Sequence, residues 1–395
     1  MAKNLMVLGA GIYQIPAIIS AKEMGCRVIA VDGSAEAPGL RIADVAEVVD
    51  LRDVAGCIEV ASKYSLDGVV SICTEVAVRT VASVVESKNL SGIGRLAAEA
   101  ATDKAVMRKK LVAAGVPCPT FYSVSSIHEG KCAAHDIGFP LIVKPVDNAG
   151  SRGVRRVEDV ADLERALTGA LALSQTGRAI VEEFMVGVES TIEALSWEGA
   201  CEILAISDKD HVAFPNCVAI SLNYPPRFSA DIQNEIKSVV LAAVNALGID
   251  YGPTHTEVMV TDEGVKIVEV AARGGGFRVF SDMIPLVSGV DAVGETIKMA
   301  LGEVPDIKAK KQQGAVLRFF NPNQTGKLQR VTGVETARSL PGIVDVQIDV
   351  KPGDEIGPVT SDGDRPGYLI ATGRDRNEVM KRACLAEKTV HFEVS

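Results

Sequence analysis

THTEVMVTDEGVKIVEVAARGGG, residues 254–276, is the most informative part of this sequence. Apolar and polar residues alternate on both sides of a central turn signal, which predicts a β-hairpin. A three-residue loop of residues 262–264 would close the hairpin, because its glycine tolerates the left-handed conformation that such loops need. In the resulting register, Glu257 lies directly opposite Glu269 on the same face.

The two glutamates of this hairpin suggest a cation-binding surface. Like charges directly opposite each other on neighbouring strands repel unless something cationic lies between them. Carboxylate oxygens suit a hard ion, and Mg²⁺ shared with nucleotide phosphates is the usual arrangement where the protein offers few ligands. Arg273 follows on the same predicted strand face. The alternative is an exposed acidic hairpin face that ends in a surface arginine, and for an isolated hairpin that alternative would be preferred.

Composition and charge limit the classes of function. The 395 residues are 47% hydrophobic but only 4% aromatic, so aliphatic side chains must fill the cores, which suits parallel sheets covered by helices. The formal net charge of −10 argues against non-specific nucleic-acid binding. We expect no membrane association, because no signal peptide and no membrane-length apolar run is recognisable. The eight cysteines form no C-x-x-C pair, which predicts reduced thiols and a cytoplasmic location.

The order of predicted elements divides the chain into three parts. Residues 1–97 alternate strands with helices, which predicts a parallel, doubly wound α/β domain. A new unit begins near residue 98 and continues to a polar segment at residues 305–314, which indicates a boundary. Residues 311–395 combine short strands, Gly/Pro turns and one helix, which predicts a small α+β domain.

GAGIYQ, residues 9–14, follows the first predicted strand and opens a helix. The segment is similar to the dinucleotide-binding pattern G-x-G-x-x-G, and Asp32 ends the next strand where a ribose-binding acid would lie. However, Gln14 replaces the third glycine, which weakens the close helix–strand packing of that pattern. A structural turn, or a substrate loop at the carboxyl end of the sheet, is therefore preferred over dinucleotide binding.

A second glycine-containing segment, LIVKPVDNAGSRGV, occupies residues 141–154. Lys144 lies near the end of an apolar strand and offers a point charge for phosphate oxygens. The loop that follows contains Gly150, Ser151 and Gly153, whose small size lets backbone N–H groups approach an anion closely. The alternative is a lysine at a strand end before a surface hairpin.

Acidic residues flank a turn in AIVEEFMVGVE, residues 179–189. A purine needs an acceptor, a backbone N–H and an apolar slot, and a ribose needs an acceptor for its hydroxyl groups. Glu182 and the backbone at Glu183 and Met185 could supply the first set. Glu189 could supply the ribose acceptor. The alternative is a pair of acidic segments that only border a turn.

These signals occur in one order along the chain, and together they resemble the ATP-grasp superfamily. They begin with Lys104 in the first turn of a predicted helix, continue through the lysine loop and the paired-glutamate segment, and end at the hairpin. The resemblance covers the whole chain. It implies an N-terminal α/β domain at residues 1–97 and a central ATP-grasp fold of two α+β subdomains at residues 98–310. The lid-like subdomain would comprise residues 120–185, with ATP between the two subdomains.

The resemblance also implies roles for individual residues. Those expected to hold ATP are Lys104 and Lys144 at the phosphates, Ser151 and Gly153 in the covering loop, Glu182, Glu183 and Met185 at the adenine, and Glu189 at the ribose. Glu257 and Glu269 would bind Mg²⁺, with Mn²⁺ as the alternative ion. Arg273 would hold the substrate carboxylate or the acyl phosphate formed from it. The family pattern Glu-x-Asn-x-Arg is broken at Ala271, which leaves open whether one or two metal ions bind.

Three further segments resemble the carboxylate–amine ligase branch of the superfamily, which includes L-amino-acid ligases. They are ISDKDHVAFP with Lys209, THTEVMV with His255, and residues 339–373. By this resemblance Lys209, His255 and Arg278 are candidate substrate contacts. For His255 the alternative is a hydrogen-bonded histidine on a strand face, and the two interpretations have equal weight.

The implied activity is that of an ATP- and Mg²⁺-dependent ligase that joins a small-molecule carboxylate to an amine. An acyl phosphate would be the intermediate, and ADP and phosphate would be released. The alternatives within the superfamily are an enzyme of purine synthesis and a biotin-carboxylase-like subunit, the latter disfavoured because the sequence has no biotin-attachment module. A non-catalytic nucleotide sensor and a nicotinamide oxidoreductase are alternatives of other classes. The resemblance further implies a homodimer.

Overall fold

The N-terminal part of the protein is a parallel α/β unit. The computed structural model describes residues 2–148, 150, 152–212, 218–322 and 324–395. The first elements are β1 (Asn4–Leu8), α1 (Ile15–Glu23), β2 (Arg27–Asp32), β3 (Val45–Val48), α2 (Val54–Lys63), β4 (Gly68–Val70) and α3 (Val78–Lys88). The four strands pair in parallel in the order β3-β2-β1-β4.

Side-chain alternation in β1 explains why this sheet is covered on both faces. Leu5 and Val7 pack into a core that includes residues of α1, whereas Met6 and Leu8 pack into a second core with residues of α2 and α3. A strand that is buried on both faces reads as a continuous apolar run, which is how β1 appears in the sequence. The predicted parallel, doubly wound domain is confirmed.

A small antiparallel sheet follows the parallel unit. The elements in this region are α4 (Arg95–Thr102), α5 (Lys104–Ala113), β5 (Phe121–Val124), α6 (Ile127–Ile137), β6 (Leu141–Pro145), β7 (Arg155–Val157), α7 (Val160–Leu173) and β8 (Ala179–Glu183). The strands have the order β5-β8-β6-β7, and apolar residues of α6 and α7 pack into the core of this sheet. The sheet lies within the range predicted for the lid-like subdomain, whose boundaries stay a prediction.

The largest sheet combines the central and C-terminal parts of the chain. Its central elements are β9 (Val188–Trp197), β10 (Ala200–His211), β11 (Ala219–Tyr224), α8 (Ala230–Leu247), β12 (Gly252–Thr261), β13 (Gly264–Ala271), α9 (Ile284–Ser288) and α10 (Ala292–Ala300). The C-terminal elements are β14 (Gly314–Phe319), β15 (Gly326–Thr332), α11 (Val334–Arg338), β16 (Ile343–Ile348), β17 (Glu355–Ile356), β18 (Gly367–Gly373), α12 (Arg376–Thr389) and β19 (His391–Val394).

Eight strands of these two regions form one antiparallel sheet in the order β13-β12-β9-β10-β11-β14-β18-β16. The polar segment predicted as a boundary links α10 to β14, yet β14 pairs directly with β11. Three C-terminal strands, β14, β18 and β16, therefore extend the central sheet. Strands β17, β15 and β19 make a separate three-stranded sheet. No helix in the described part of the chain is both long and apolar enough to cross a membrane.

The β12–β13 hairpin has the predicted pairing but not the predicted loop. Glu257 pairs with Glu269, as expected. Thr261 pairs with Gly264, so the loop has two residues instead of the expected three. A β-bulge between the Glu257 and Val258 pairs inserts Val268, which restores the alignment of the glutamates. The three-residue prediction was wrong because a tight loop plus a bulge produces the same upstream register as a longer loop.

Candidate functional site

The paired carboxylates of the hairpin are each neutralised by a lysine. Lys104 Nζ lies 2.9 Å from Glu269 Oε1, and Lys209 Nζ lies 2.6 Å from Glu257 Oε1. Burial opposes ionisation of both glutamates, but the two ammonium groups outweigh it and hold the pKa of each carboxyl below its usual range. The repulsion expected between facing carboxylates is thus relieved by two cations from distant parts of the chain.

This pair of carboxylates fits a divalent cation. Both side chains are ionised and each remains 26% exposed, so oxygen atoms are available to a ligand. Among the described residues, no group of three or more acidic, histidine or cysteine side chains is arranged to hold a metal ion. Glu257 and Glu269 would therefore supply two ligands, and phosphate oxygens would have to supply others.

A buried ion triad lies beside the hairpin. Glu182 Oε2 accepts from Lys144 Nζ at 2.6 Å, and Glu182 Oε1 accepts from Arg108 Nε at 2.7 Å. All three side chains are buried. Burial opposes the charge on Glu182, but the guanidinium and the ammonium prevail and lower its pKa to about 2. The sequence separately assigned Lys144 to phosphate and Glu182 to adenine, and the structure brings these two side chains together.

Arg108 was missed in the sequence. It lies four residues after Lys104, on the same face of α5, where the following helical turn contributes the buried Leu111. A basic residue on the buried face of an amphipathic helix is the signal that could have drawn attention to it. Its partner Glu182 is 74 residues away in sequence, which the sequence pattern cannot reveal.

Ion pairs link Glu189 and Glu183, two more residues assigned to ATP, to lysines that contact or belong to the hairpin. Glu189 contacts Lys209, and His211 Nε2 lies 3.1 Å from its other oxygen. Lys209 therefore lies between Glu189 and Glu257. Glu183 pairs with Lys266 at 3.0 Å, and Met185 is partly buried just beyond β8.

The glycine-containing loop after β6 is described only in part. Ser151 lies outside the described residues, so its predicted contact stays a prediction. Gly153 has φ +81°, and a Cβ there would come within 2.9 Å of Pro145 and Leu173. Both conformation and space therefore require glycine at this position. Lys104 Nζ also donates to the carbonyl of Asn148 at 2.7 Å, which ties the loop to α5.

Arg273 lies beyond the end of β13 and pairs with a residue of the N-terminal domain. The prediction that it continues the strand face was wrong, because β13 ends at Ala271. Arg273 Nε lies 3.0 Å from Glu75 Oε2. Glu75 follows β4 at the carboxyl end of the parallel sheet, where ligands of open α/β sheets bind. Burial raises the pKa of Glu75, although Arg273 opposes the shift. Glu75 was missed in the sequence analysis. Its position after a predicted strand of the parallel sheet is the signal that could have identified it as a site residue.

His255 lies between two glutamates, Glu193 and Glu257. Its Nδ1 contacts Glu193, and its Nε2 lies 3.7 Å from Glu257 Oε1. The second oxygen of Glu193 accepts from the backbone N–H of Gly275 at 3.0 Å. Burial disfavours the charged imidazole, but Glu193 outweighs burial and raises the pKa of His255 to about 9. These contacts show a hydrogen-bonded histidine, and its assignment to substrate stays a prediction.

Arg278 connects the glycine turn after Arg273 to the C-terminal strands. Its Nη1 donates to Asp345 Oδ2 at 3.0 Å and to the hydroxyl of Tyr368 at 2.7 Å, and its Nη2 donates to Asp282 Oδ1 at 2.6 Å. The guanidinium therefore already has three protein partners. Its predicted substrate contact is untested.

Hydrogen bonds join the GAGIYQ segment to neighbouring parts of the parallel unit. The buried amide of Gln14 donates to Thr74 Oγ1 at 2.8 Å and accepts from the backbone N–H of Ile72 at 3.0 Å. Asp32 accepts from the backbone N–H groups of Ala10 at 2.8 Å and of Ser34 at 2.9 Å. Gln14 is thus bonded to residues just after β4, and Asp32, at the ribose-binding position, is bonded to backbone N–H groups, which favours the structural interpretation.

Two family models match this chain. One, described as an ATP-grasp domain, matches residues 137–281, and the other, described as L-amino acid ligase C-terminal domain 2, matches residues 318–395. The first match contains the triad glutamate and the hairpin. The second contains the three-stranded sheet and two strands that extend the central sheet.

Individual proteins are similar over different lengths. The L-arginine-specific L-amino acid ligase of Bacillus subtilis is 23% identical over 357 residues, which are 89% of this chain and 86% of that protein. The formate-dependent phosphoribosylglycinamide formyltransferase of Synechococcus sp. (strain CC9605) is 33% identical over 187 residues, 46% of this chain and 47% of the relative. The crystal structure of an L-amino acid ligase from Bacillus licheniformis matches with a TM-score of 0.86 at 22% identity, covering 100% of this chain and 99% of that one. At this identity the structural match shows the fold alone.

Proposed function

Because the chain belongs to the ATP-grasp superfamily and is an ATP-dependent ligase of the carboxylate–amine family, we propose that it forms an amide or peptide bond between two small molecules. The observation that supports this most directly is the pair of ionised carboxylates, Glu257 and Glu269, which face each other across the hairpin. Lys104 pairs with Glu269, and Lys144 and Arg273 lie close enough to interact electrostatically with the same carboxylate. A nucleotide sensor needs to bind ATP, but it does not need to neutralise a phosphoryl group in transfer.

The proposed reaction has two steps. In the first, a carboxylate oxygen of the acid substrate attacks the γ-phosphorus of ATP, the bond to the β–γ bridging oxygen breaks, and ADP leaves. In the second, the amine nitrogen attacks the acyl carbon, the carbon–oxygen bond to the phosphate breaks, and the nitrogen loses a proton. The products are the amide, ADP and phosphate. Phosphoryl transfer needs positioning and charge neutralisation more than covalent help from the protein.

The residues of this chain would divide that work. Lys104 and Lys144 would hold the phosphates through their ammonium groups. Arg273 would grip two oxygens of the acid substrate with its planar fork, and Glu75 would orient that guanidinium. Bound at Glu257 and Glu269, Mg²⁺ would neutralise charge at the phosphate oxygens.

The test is a release assay for ADP and phosphate over a panel of amino acids, dicarboxylates and amines with Mg²⁺ present. We expect ADP release that requires both an acid and an amine, and mass spectrometry should detect the condensed product. E269A serves as the inactive control. If no pair gives ADP above the level of that control, the proposed function is wrong.

A second candidate is transfer of formate to a ribonucleotide amine. The 33% identity to a formate-dependent phosphoribosylglycinamide formyltransferase over 187 residues favours it. The L-amino acid ligase model over residues 318–395 favours the first candidate. Adding formate with the ribonucleotide amine to the panel separates the two, since each predicts ADP release with a different acid.

A further inference from the structure

We propose that Arg108 is a positioning residue that sets the register of the hairpin carboxylates and fixes them relative to the end of β8. The proposal rests on the proposed function, because it treats Glu257 and Glu269 as metal ligands. Arg108 touches neither residue. It acts through the backbone of Val268 and through the side chain of Glu182.

The first observation is that Arg108 bridges two elements. Its side chain is fully buried in α5. Nε donates to Glu182 Oε1 at 2.7 Å, and Nη2 donates to the carbonyl of Val268 at 2.7 Å. One rigid, planar group thus joins the last strand of the small sheet to the metal-site hairpin.

The second observation concerns the residue whose carbonyl Arg108 binds. Val268 is the residue that the β-bulge inserts between the paired positions of β13. With the two-residue loop and no bulge, Glu257 would lie opposite Val268, and Glu269 would point to the other face of the sheet. The bulge is therefore what places both carboxylates on one face, and Arg108 holds the bulged backbone in place.

Lys104 reinforces this arrangement from the same helix. It lies one turn before Arg108 in α5 and pairs with Glu269 at 2.9 Å. Two consecutive hairpin residues, Val268 and Glu269, are thus held by two residues of one helical face. Movement of the bulge would break the contact to Val268 and displace the carboxylate beside it.

A peripheral ion pair provides a matched control. Lys266 of β13 pairs with Glu183 at 3.0 Å and with Glu263 at 2.8 Å, so it also joins the end of β8 to the hairpin. It lies on the part of β13 before the bulge and contacts side chains only. Loss of this bridge removes one link between the same two strands but leaves the bulge untouched.

The test compares the metal affinities of R108K, R108Q and K266M. Titration of Mn²⁺ by electron paramagnetic resonance, with a non-hydrolysable ATP analogue, measures metal binding without turnover. We expect R108K to bind Mn²⁺ at least tenfold more weakly than the parent, because one ammonium group cannot reach both partners. Nucleotide affinity without metal should stay within threefold of the parent. K266M should match the parent in metal affinity.

Several results would overturn the proposal. Parent-level Mn²⁺ affinity in R108K, or an equal loss in R108K and K266M, would show that the bulge does not depend on Arg108. If R108K does not fold, the same measurement is made on R108Q. Glutamine keeps a donor near the position of Nε, but its side chain is too short to reach the carbonyl of Val268. R108Q should then show the same tenfold loss, and parent-level affinity would contradict us. A parent that binds no nucleotide with Mn²⁺ would overturn the proposed function itself.

Discussion

Glu269 combines a partly exposed carboxylate with a backbone held in a sheet. Its side chain is ionised, faces Glu257 and is partly exposed, so it is available to a ligand without being needed for the core. We expect E269A to abolish turnover, because the substitution removes charge neutralisation at the phosphates, while the protein keeps its fold. Assays of ADP release and thermal melts followed by circular dichroism check this. Parent-level turnover in E269A would contradict the metal assignment.

The proposed role of Arg273 in binding the acid substrate depends on the fork-shaped geometry of its guanidinium group. Lysine offers one point of charge, whereas arginine can bind two oxygens at once. Loss of one charge-assisted hydrogen bond costs about 1.5–3 kcal/mol. R273K should therefore lose on the order of tenfold to a hundredfold in turnover with the best acid, and much less in ATP affinity. Kinetics that match the parent would place Arg273 in a structural ion pair with Glu75 and remove it from the site.

At the scale of elements, the buried triad joins α5, β6 and β8 through charge. The pKa of Glu182 is about 2 in the folded protein and roughly 4.3 unfolded. Its contribution to stability is fully present above about pH 4.3 and is lost as the pH falls through 2. That contribution is on the order of 3 kcal/mol.

E182Q tests this contribution. At neutral pH we expect the substitution to destabilise the protein by about 3–5 kcal/mol, because two buried cations lose their partner. Between about pH 4.5 and 2, the unfolding free energy of E182Q should fall less steeply than that of the parent. Urea unfolding at several pH values measures both effects. Parallel pH profiles would mean that Glu182 does not titrate with an altered pKa.

The hairpin shows how far sequence patterns reach at this scale. Alternation correctly paired Glu257 with Glu269, since facing residues share one side of a sheet. It could not distinguish a three-residue loop from a two-residue loop with a bulge, because both place Glu257 opposite Glu269. Arg108 was also out of reach, because its two partners lie 74 and 160 residues away in sequence. Local periodicity reports which face a residue occupies but not which distant residue meets it.

At the scale of the molecule, the candidate site is assembled from three regions. Glu75 follows the last strand of the parallel sheet, Lys144 and Glu182 come from the small sheet, and the hairpin carboxylates come from the large sheet. The sequence predicted this order of units, and the fold class is confirmed. It did not predict that C-terminal strands extend the large sheet, because pairing of β14 with β11 spans the boundary that the polar segment suggested.

This assembly predicts a selective response to nucleotides. Ligand that binds only the folded state stabilises it by about 2.7 kcal/mol at a hundredfold excess over Kd. Mg²⁺ with ATP should therefore raise the melting temperature in a concentration-dependent way, whereas NADH should not. The reason lies in the N-terminal turn, where Gln14 and Asp32 are already bonded to neighbouring backbone and side-chain groups. NADH fluorescence that increases saturably, and is lost in G11V, would show that this turn binds a dinucleotide after all.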